Sequence, residues 1–359
     1  MADQDLVPAA AAVSPEAKAK AEAAAREIER ERGRSMDGLA VWANELLVGT
    51  PPARPVLLAT SQPKSAPDGE LVVEPGAAWM PAGRLCLLVS PGGRGKTAVL
   101  LSLAAHVAAG EKWCGLHVVR PGAVALVFGE EDRDELHRRL DASMPVDARA
   151  RETAARRMLV LPLAGTGNNR LVDETPGQGA ERSERATELL ELLRKRAPKG
   201  GWSLVVVDPF ARFAGMDAEK DNASATETMT VLEELTTLPG GPSVLVAHHT
   251  RKGADKDDDQ ADLVRGSSAI RDSARWVGML RNVVLSDGNN GLKLEIVKSN
   301  YTRQDQALEL STDAGIVTGG CVTAAAGAKG NGKAAAAKAE GNGKVAAGAR
   351  RNERQDPDR

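Results

Sequence analysis

The most constraining feature of this sequence is an eight-residue segment, Ser90-Pro91-Gly92-Gly93-Arg94-Gly95-Lys96-Thr97. It follows the apolar run 85–89 and opens the helix-like stretch 96–109. Glycines in such a loop let backbone N–H groups surround a phosphate, and the helix N-terminus adds partial positive charge. The lysine then reaches the β- and γ-phosphates, and the threonine hydroxyl is a ligand for Mg²⁺. The segment predicts an ATP site formed by Pro91, Gly92, Gly93, Arg94, Gly95, Lys96 and Thr97, with Thr97 also on Mg²⁺.

One residue departs from the usual pattern of such loops, because Ser90 stands where the first glycine is common. The Pro91-Gly92-Gly93 sequence can still form a tight turn. We therefore interpret the segment as a variant of the phosphate-binding loop.

A second apolar run supplies a carboxylate for the metal. The four apolar residues Leu204–Val207 are followed directly by Asp208. Ligands of open α/β folds bind at the carboxyl ends of the strands. Asp208 is therefore predicted to lie in the Mg²⁺ shell, and Pro209 after it leaves no neighbouring glutamate to orient a water molecule.

Another apolar run, predicted as a strand over 123–128, leads into three acids, Glu130, Glu131 and Asp132. A carboxylate at that strand end can face the γ-phosphate, and this layout is RecA-like. The spacing alone does not choose among the three acids. An acidic start to the following helix is the simpler alternative.

Two histidines end the apolar run 243–247. Successive side chains of an extended strand point to opposite sides, so at most one of His248 and His249 can contact a phosphate. A metal site is the weaker interpretation, because no third ligand is placed nearby.

Short apolar runs alternate with helical stretches through the central part of the chain, which is typical of a parallel sheet covered on both faces. The fold class expected is α/β, a RecA-like P-loop fold with a mostly parallel central sheet. The predicted organisation is a helical Ala/Glu/Arg-rich extension over 1–50, with a helix from Ser14 to Arg32, a linker over 51–76, an ATPase domain over 77–320 and a disordered Ala/Gly/Lys-rich tail over 321–359.

Composition excludes several classes of protein. A net charge of −2 argues against a uniformly basic coat for nucleic acid, and 3% aromatic residues argue against extensive base stacking. The three cysteines lack a CxxC spacing, so a reducing compartment is expected and a zinc site is not. With no long apolar run and an acidic start, we expect a cytoplasmic protein that does not contact a membrane.

The order of these motifs resembles the RepA-type replicative helicases of broad-host-range plasmids, over about residues 77–302. Beyond the phosphate loop and the Asp208 strand, the resemblance rests on these residues: Glu131, Asp132, His137, Arg139, Leu140, His248, His249, Arg265-Gly266-Ser267-Ser268, Arg275-Trp276 and Lys298-Ser299-Asn300-Tyr301.

The resemblance implies a homo-oligomeric ring, hexameric in that family, with ATP sites between subunits. By position, Glu131 would be the general base, His249 the γ-phosphate sensor, Arg139 a phosphate-side arginine and Arg275 an arginine finger for the neighbouring subunit. It also implies that single-stranded DNA contacts channel loops over 210–222 and 250–265.

The second of these loops fits DNA poorly. Residues 250–264 hold three cations, Arg251, Lys252 and Lys256, against five acids, Asp255, Asp257, Asp258, Asp259 and Asp262. The leading alternative is therefore an ATPase of the same fold that remodels a protein partner without unwinding a duplex, and a small-molecule kinase ranks third.

Overall fold

The computed structural model describes residues 36, 40–49, 51–66, 69, 71–175, 179–216, 218, 220–250, 268–285, 287–313 and 315–324. The chain divides into two compact units, residues 1–55 and 56–359. The helix predicted over 14–32, most of the second channel loop and the tail beyond residue 324 lie outside the described residues.

The first unit contains one short described helix, α1 (Ala43–Leu46). Apolar side chains around it are exposed, and Trp42 and Leu47 are each 77% exposed. Ala43, Asn44 and Glu45 of this helix are exposed as well.

The second unit contains sixteen strands and seven further α-helices among its described residues, together with a 3-10 turn over Leu235–Thr237. The strands are β1 (Val56–Ala59), β2 (Lys64–Ser65), β3 (Leu71–Val72), β4 (Ala78–Pro81), β5 (Leu85–Ser90), β6 (His117–Val118), β7 (Ala123–Phe128), β8 (Met158–Pro162), β9 (Val172–Thr175), β10 (Gly179–Arg182), β11 (Trp202–Asp208), β12 (Ser243–His249), β13 (Trp276–Val284), β14 (Asn290–Ser299), β15 (Gln306–Asp313) and β16 (Ile316–Ala324). The helices are α2 (Lys96–Ala109), α3 (Arg133–Ser143), α4 (Ala148–Arg157), α5 (Glu184–Arg196), α6 (Phe210–Phe213), α7 (Asn222–Glu234) and α8 (Ser268–Ser273).

Nine strands form the central sheet in the order β16-β15-β14-β13-β5-β12-β11-β7-β8. The six strands from β13 to β8 are parallel, and β14, β15 and β16 extend the sheet as antiparallel neighbours. The expectation of an α/β, RecA-like fold with a mostly parallel sheet is confirmed.

The two faces of the sheet bury alternate residues of each strand, as the twofold repeat of a strand requires. On β5, Leu87 and Val89 pack on the face that carries α5 and α7, whereas Cys86 and Leu88 pack on the face that carries α2. Helix cover on both faces explains why the central strands are apolar throughout.

Parallel pairing brings four strand ends together at one edge, which we call the carboxyl edge. His249 at the end of β12 pairs with Ser90 at the end of β5, and Asp208 at the end of β11 pairs with Phe128 at the end of β7. The amide of Gly129 continues this pattern by donating to the Asp208 carbonyl at 2.8 Å. Motifs far apart in sequence therefore meet at this edge.

The segment predicted as a linker, 51–76, contains a buried strand. β1 pairs with β4 and β6 in a small antiparallel sheet, and Leu57 and Leu58 are at most 1% exposed. They join Trp79 and the α2 side chains in one apolar cluster. The prolines near Val56 suggested a linker. The short apolar run Val56–Ala59 nevertheless buries apolar surface, which the proline content does not reveal.

The chain end assigned to the tail also begins as a strand, because β16 runs to Ala324 and so includes the first four residues of 321–359. It pairs with β15 and is the outermost strand on one side of the central sheet.

Among the described residues, no helix is long and apolar enough to cross a membrane.

The placement of β1 predicts a large effect of a small substitution. Leu57→Ala should lower the free energy of unfolding by about 2–5 kcal/mol, because it removes a fully buried side chain and leaves a cavity. The matched control is Leu47→Ala, since that side chain is 77% exposed and should change stability by less than about 0.5 kcal/mol. Urea denaturation followed by circular dichroism measures both, and equal effects would contradict the buried strand.

Candidate active site

The phosphate-loop segment connects β5 to α2 through two glycines that need a left-handed backbone. Gly93 has φ of 70°, and Gly95, which caps the N-terminus of α2, has φ of 79°. L-residues with a side chain rarely adopt these angles. The loop therefore turns its backbone toward the space in front of α2, as phosphate binding requires.

Ser90 shows why its position tolerates a residue other than glycine. It is the fully buried last residue of β5, and its hydroxyl donates to the Pro91 carbonyl at 2.8 Å. The same hydroxyl accepts a hydrogen bond from Lys96 Nζ at 3.0 Å. The serine thus adds a contact to the lysine while the left-handed turns come later in the loop.

The Lys96 ammonium group lies inside the site and is 7% exposed. It also lies 3.3 Å from the Ser90 carbonyl, 3.4 Å from the Pro91 carbonyl and 3.2 Å from Nδ1 of His249. Burial lowers the pKa of Lys96, and the nearby carboxylates of Asp208 and Glu130 oppose that shift. The lysine is therefore held next to the loop by neutral acceptors, which a phosphate can replace.

Thr97 and Asp208 are joined directly. The Thr97 hydroxyl donates to Oδ2 of Asp208 at 2.7 Å. Asp208 is 4% exposed, and this burial raises its pKa, while the Thr97 hydrogen bond and the charge of Lys96 lower it. A hydroxyl and a carboxylate in contact form a pair of hard oxygen ligands, which fits the preference of Mg²⁺.

The three acids after β7 lie in different surroundings. Asp132 caps α3 by accepting from the Glu135 amide at 2.8 Å. Glu130 forms an ion pair with Arg212 at 3.1 Å and has a half-exposed side chain. Glu131 is 11% exposed, and its Oε2 is buried without a hydrogen-bond partner among the described residues. The geometry therefore favours Glu131 among the three as a carboxylate ready to accept a proton.

Burial is the main reason that the pKa of Glu131 is raised, and the charge of Asp208 adds to it, whereas Arg139 opposes it. Arg139 contacts both Glu131 Oε1, at 3.4 Å, and Glu135 Oε1, at 2.6 Å. The predicted phosphate-side arginine is therefore held between two carboxylates on the side of the site where α3 begins.

The two histidines at the end of β12 point to opposite sides. His248 is fully buried with its ring edge-on to Phe210 at 4.9 Å between centroids. His249 faces the loop, because a methyl group on Gly92 would lie 3.8 Å from its Cε1. With Lys96 donating to Nδ1, the His249 imidazole carries its proton on Nε2. Only His249 is placed to meet a phosphate.

These residues surround a cavity of about 580 Å³, a volume within the usual range for small-molecule and cofactor sites. Its wall contains eight of the site residues predicted from the sequence: Gly93, Arg94, Gly95, Lys96, Thr97, Arg139, Asp208 and His249. Glu130 also lines it, whereas Pro91, Gly92 and Glu131 lie beside the wall without forming part of it.

Several cavity residues were not predicted from the sequence: Glu135, Arg138, Ala142, Ser143, Gly315 and Ile316. The four on α3 could have been found, since they follow Glu131 and Arg139 at helical spacing. Gly315 lies in the turn between β15 and β16, and Ile316 is the first residue of β16. Neither carries a local signal, because only the sheet order brings that hairpin to the site.

Arg275 lies away from this cavity. Its amide donates to the Leu85 carbonyl at 2.9 Å, next to the pairing of Trp276 with Cys86. It therefore sits at the start of β5, while the phosphate loop begins five residues later at Ser90. At about 3.3 Å per strand residue, Arg275 and the start of the phosphate loop are roughly 16 Å apart along the strand direction.

The first predicted channel segment, 210–222, is only partly packed into the fold, since Arg212, Met216 and Lys220 are exposed. Phe210, Phe213, Ala214 and Ala218 are buried in the core. Arg212 in this segment pairs with Glu130, so its charge is directed toward the nucleotide cavity.

A phosphate loop, a metal-side carboxylate and a RecA-like sheet together define this chain as a P-loop ATPase. Comparison with known families agrees, since a family model described as an AAA domain matches residues 52–255. The chain belongs to this AAA domain family. The match begins before β1, which agrees with the inclusion of that strand in the fold.

The raised pKa of Glu131 predicts a pH-dependent stability. Where the folded pKa lies above the ordinary value of 4.5, the ionised group destabilises the fold at neutral pH, and this cost disappears below pH 4.5. Glu131→Gln should therefore raise the Tm at pH 7, on the order of 2 °C, and leave it unchanged at pH 4.

The control is Glu135→Gln in the same ion-pair cluster, because Arg139 and Arg138 lower the pKa of Glu135. That variant should lower the Tm at pH 7 or leave it unaltered. Differential scanning calorimetry without nucleotide measures both variants, and a loss of stability at pH 7 in Glu131→Gln would contradict the burial of an ionised carboxylate.

Proposed function

We propose that this chain is an ATP-hydrolysing, oligomeric DNA motor, a RepA-like replicative helicase that acts as a homo-oligomeric ring. The observation that carries the proposal is the separation of the nucleotide cavity from Arg275, which lie at opposite edges of one sheet. An arginine that cannot reach its own site can complete the site of a neighbour.

In the proposed reaction, each residue in or beside the cavity has one role. Lys96 and the loop amides bind the β- and γ-phosphates, and Glu131 accepts a proton from the attacking water. His249 donates from Nε2 to a γ-phosphate oxygen, and Arg139 adds positive charge on the same side. Support comes from the buried oxygen of Glu131 and from the 3.2 Å contact between His249 and Lys96.

Thr97 and Asp208 would hold the Mg²⁺ that accompanies ATP. When bound, the ion neutralises charge on the β- and γ-phosphate oxygens. The fit rests on the 2.7 Å contact between the two oxygen ligands and on the raised pKa of Asp208, since a buried carboxylate lacks charge compensation that a cation supplies.

Arg275 lies at one edge of the sheet and the nucleotide cavity at the other. This arrangement favours a head-to-tail contact between identical subunits. Repeated contacts of this kind close into a ring when the rotation allows it. Hydrolysis then depends on the subunit contact, because Arg275 would stabilise transition-state charge only when the neighbour is in place. This coupling suits a motor and has no purpose in a monomeric kinase.

The DNA role is separable from the ATPase activity. The alternative, a ring that remodels a protein partner, is favoured by the acidic segment 250–264 and by the buried residues of 210–222. Both candidates share the nucleotide chemistry and differ in the polymer that the ring contacts.

Single-stranded DNA is expected to stimulate ATP hydrolysis at low salt. Phosphate release should be measured with and without an oligothymidylate, with Lys96→Ala as the inactive control at least about 100-fold below the unaltered chain. Absence of stimulation would favour the protein-remodelling alternative, and full activity of Lys96→Ala would overturn the nucleotide site itself.

Mixed rings test the shared site. Arg275→Ala and Glu131→Gln subunits should each be inactive alone, whereas their mixture should regain up to about a quarter of the normal rate, because some contacts then join an intact finger to an intact base. Phosphate release measures the rate, and native mass spectrometry verifies that mixed rings form. Mixed rings without recovery would argue against a finger in trans.

A further inference from the structure

The structure has a second cavity at the edge opposite the nucleotide, which we call the amino edge. Its volume is about 500 Å³. It opens where β7, β8 and β11 begin, and Pro121, Gly122, Met158 and Ser203 contribute to its wall. The catalytic residues at the ends of the same strands lie a full strand length away, so the two cavities are separate.

The charge of this cavity is uniform. Its wall includes three arginines, Arg156, Arg157 and Arg196, and no carboxylate, whereas Glu130, Glu135 and Asp208 line the nucleotide cavity. Four further cations lie just before the same strands in sequence. We call the three wall arginines and these four cations together the amino-edge basic cluster: Arg120, Arg156, Arg157, Arg194, Lys195, Arg196 and Lys199.

Few of these charges are neutralised. Arg156 pairs with Glu152, and Arg194 pairs with Glu234. Lys195, Arg196 and Lys199 are exposed and form no ion pair with another described residue. In a chain whose net charge is −2, this cluster concentrates positive potential on one small area.

The favourable interaction of cations with helix C-termini explains only part of why these cations lie together. Cations in the last turns of α4 and α5 interact favourably with the helix dipoles, and Arg157 also donates to the Ala108 carbonyl at the end of α2. Neither effect accounts for Arg120 and Lys199, which lie outside the helices, or for a cavity between the arginines.

The floor of the cavity is closely packed backbone. A methyl group on Gly122 would collide with the Ser203 hydroxyl, and one on Gly201 would collide with the backbone of Pro239 and Gly240. The absence of side chains at these two glycines leaves the hydroxyl of Ser203 on the wall, where it can donate to an anion together with the arginines.

We propose that the amino-edge basic cluster binds the phosphates of single-stranded nucleic acid, and this inference rests on the proposed DNA function. Five of the seven cations are arginines, whose planar donors match phosphate oxygens. A flexible single strand can place one phosphate in the cavity and its neighbours along the flanking lysines. A stiff duplex cannot follow so concave a surface.

The amino-edge basic cluster lies apart from Arg275. Both lie at the amino edge, but β13 and β7 are four strands apart in the sheet, roughly 19 Å at the usual strand spacing. A strand bound at the cluster therefore leaves Arg275 free for a neighbouring subunit.

The test uses the full chain and a fluorescent oligothymidylate, with dissociation constants from anisotropy over a series of salt concentrations. Arg156→Gln combined with Arg196→Gln should weaken binding about 10-fold and reduce the slope of log Kd against log salt by about 1.4, or 0.7 for each lost contact. The matched control is Arg149→Gln combined with Arg185→Gln. It removes the same charge from the same helices at their other ends and should stay within about 2-fold of the unaltered chain.

Basal ATP hydrolysis should be unaltered in both double variants, and Tm should shift by only about 2–4 °C, the size expected for the loss of helix-end cations. These two measurements separate a binding defect from misfolding. Equal binding by the two double variants overturns this inference and leaves the proposed DNA function intact. No binding by the unaltered chain overturns both. Displacement by polyglutamate as effective as displacement by unlabelled oligothymidylate would instead assign the cluster to an acidic protein and overturn the nucleic-acid assignment.

Discussion

The rest of the site depends on the burial of two opposite charges, the ammonium of Lys96 and the carboxylate of Asp208, at the carboxyl edge of the sheet. Neither has a direct ionic partner of ideal geometry. Lys96 is held by carbonyls, a serine hydroxyl and His249, and Asp208 by the hydroxyl of Thr97. Burial shifts the pKa of each group toward its neutral form. Such an arrangement costs stability without ligands, and the phosphates of a bound nucleotide supply the missing counter-charge for Lys96.

The parallel sheet places this chemistry at one edge and leaves the other edge for different tasks. All four catalytic strands end at the carboxyl edge, whereas Arg275 and the amino-edge basic cluster lie where strands begin. A strand of six or seven residues therefore sets the distance between the nucleotide site and the surfaces proposed to contact a neighbour or a nucleic acid.

Local signals predicted the regular elements well. The helix over 96–109 and the strand over 123–128 have the bounds expected from their apolar runs. The small strand β1 and the helix α4 escaped prediction for physical reasons. β1 has only four apolar residues between prolines, and α4 is mostly alanine and arginine, so its burial against α2 through Ala150 and Ala154 leaves little periodicity.

By itself, the sequence determined the class of this protein, because glycines, lysine and threonine in that order after an apolar strand satisfy phosphate chemistry through local backbone geometry alone. The Asp208 strand followed from the same logic. Tertiary structure decided the surroundings of the three acids: Asp132 caps a helix, Glu130 pairs with Arg212, and Glu131 is the one of the three with a buried oxygen that has no hydrogen-bond partner among the described residues. It also decided that His248 is a core residue and that Arg275 lies beside the start of β5, at the other end of that strand from the phosphate loop. These outcomes depend on which strands are neighbours, and strand order is a non-local property that no segment of the sequence encodes.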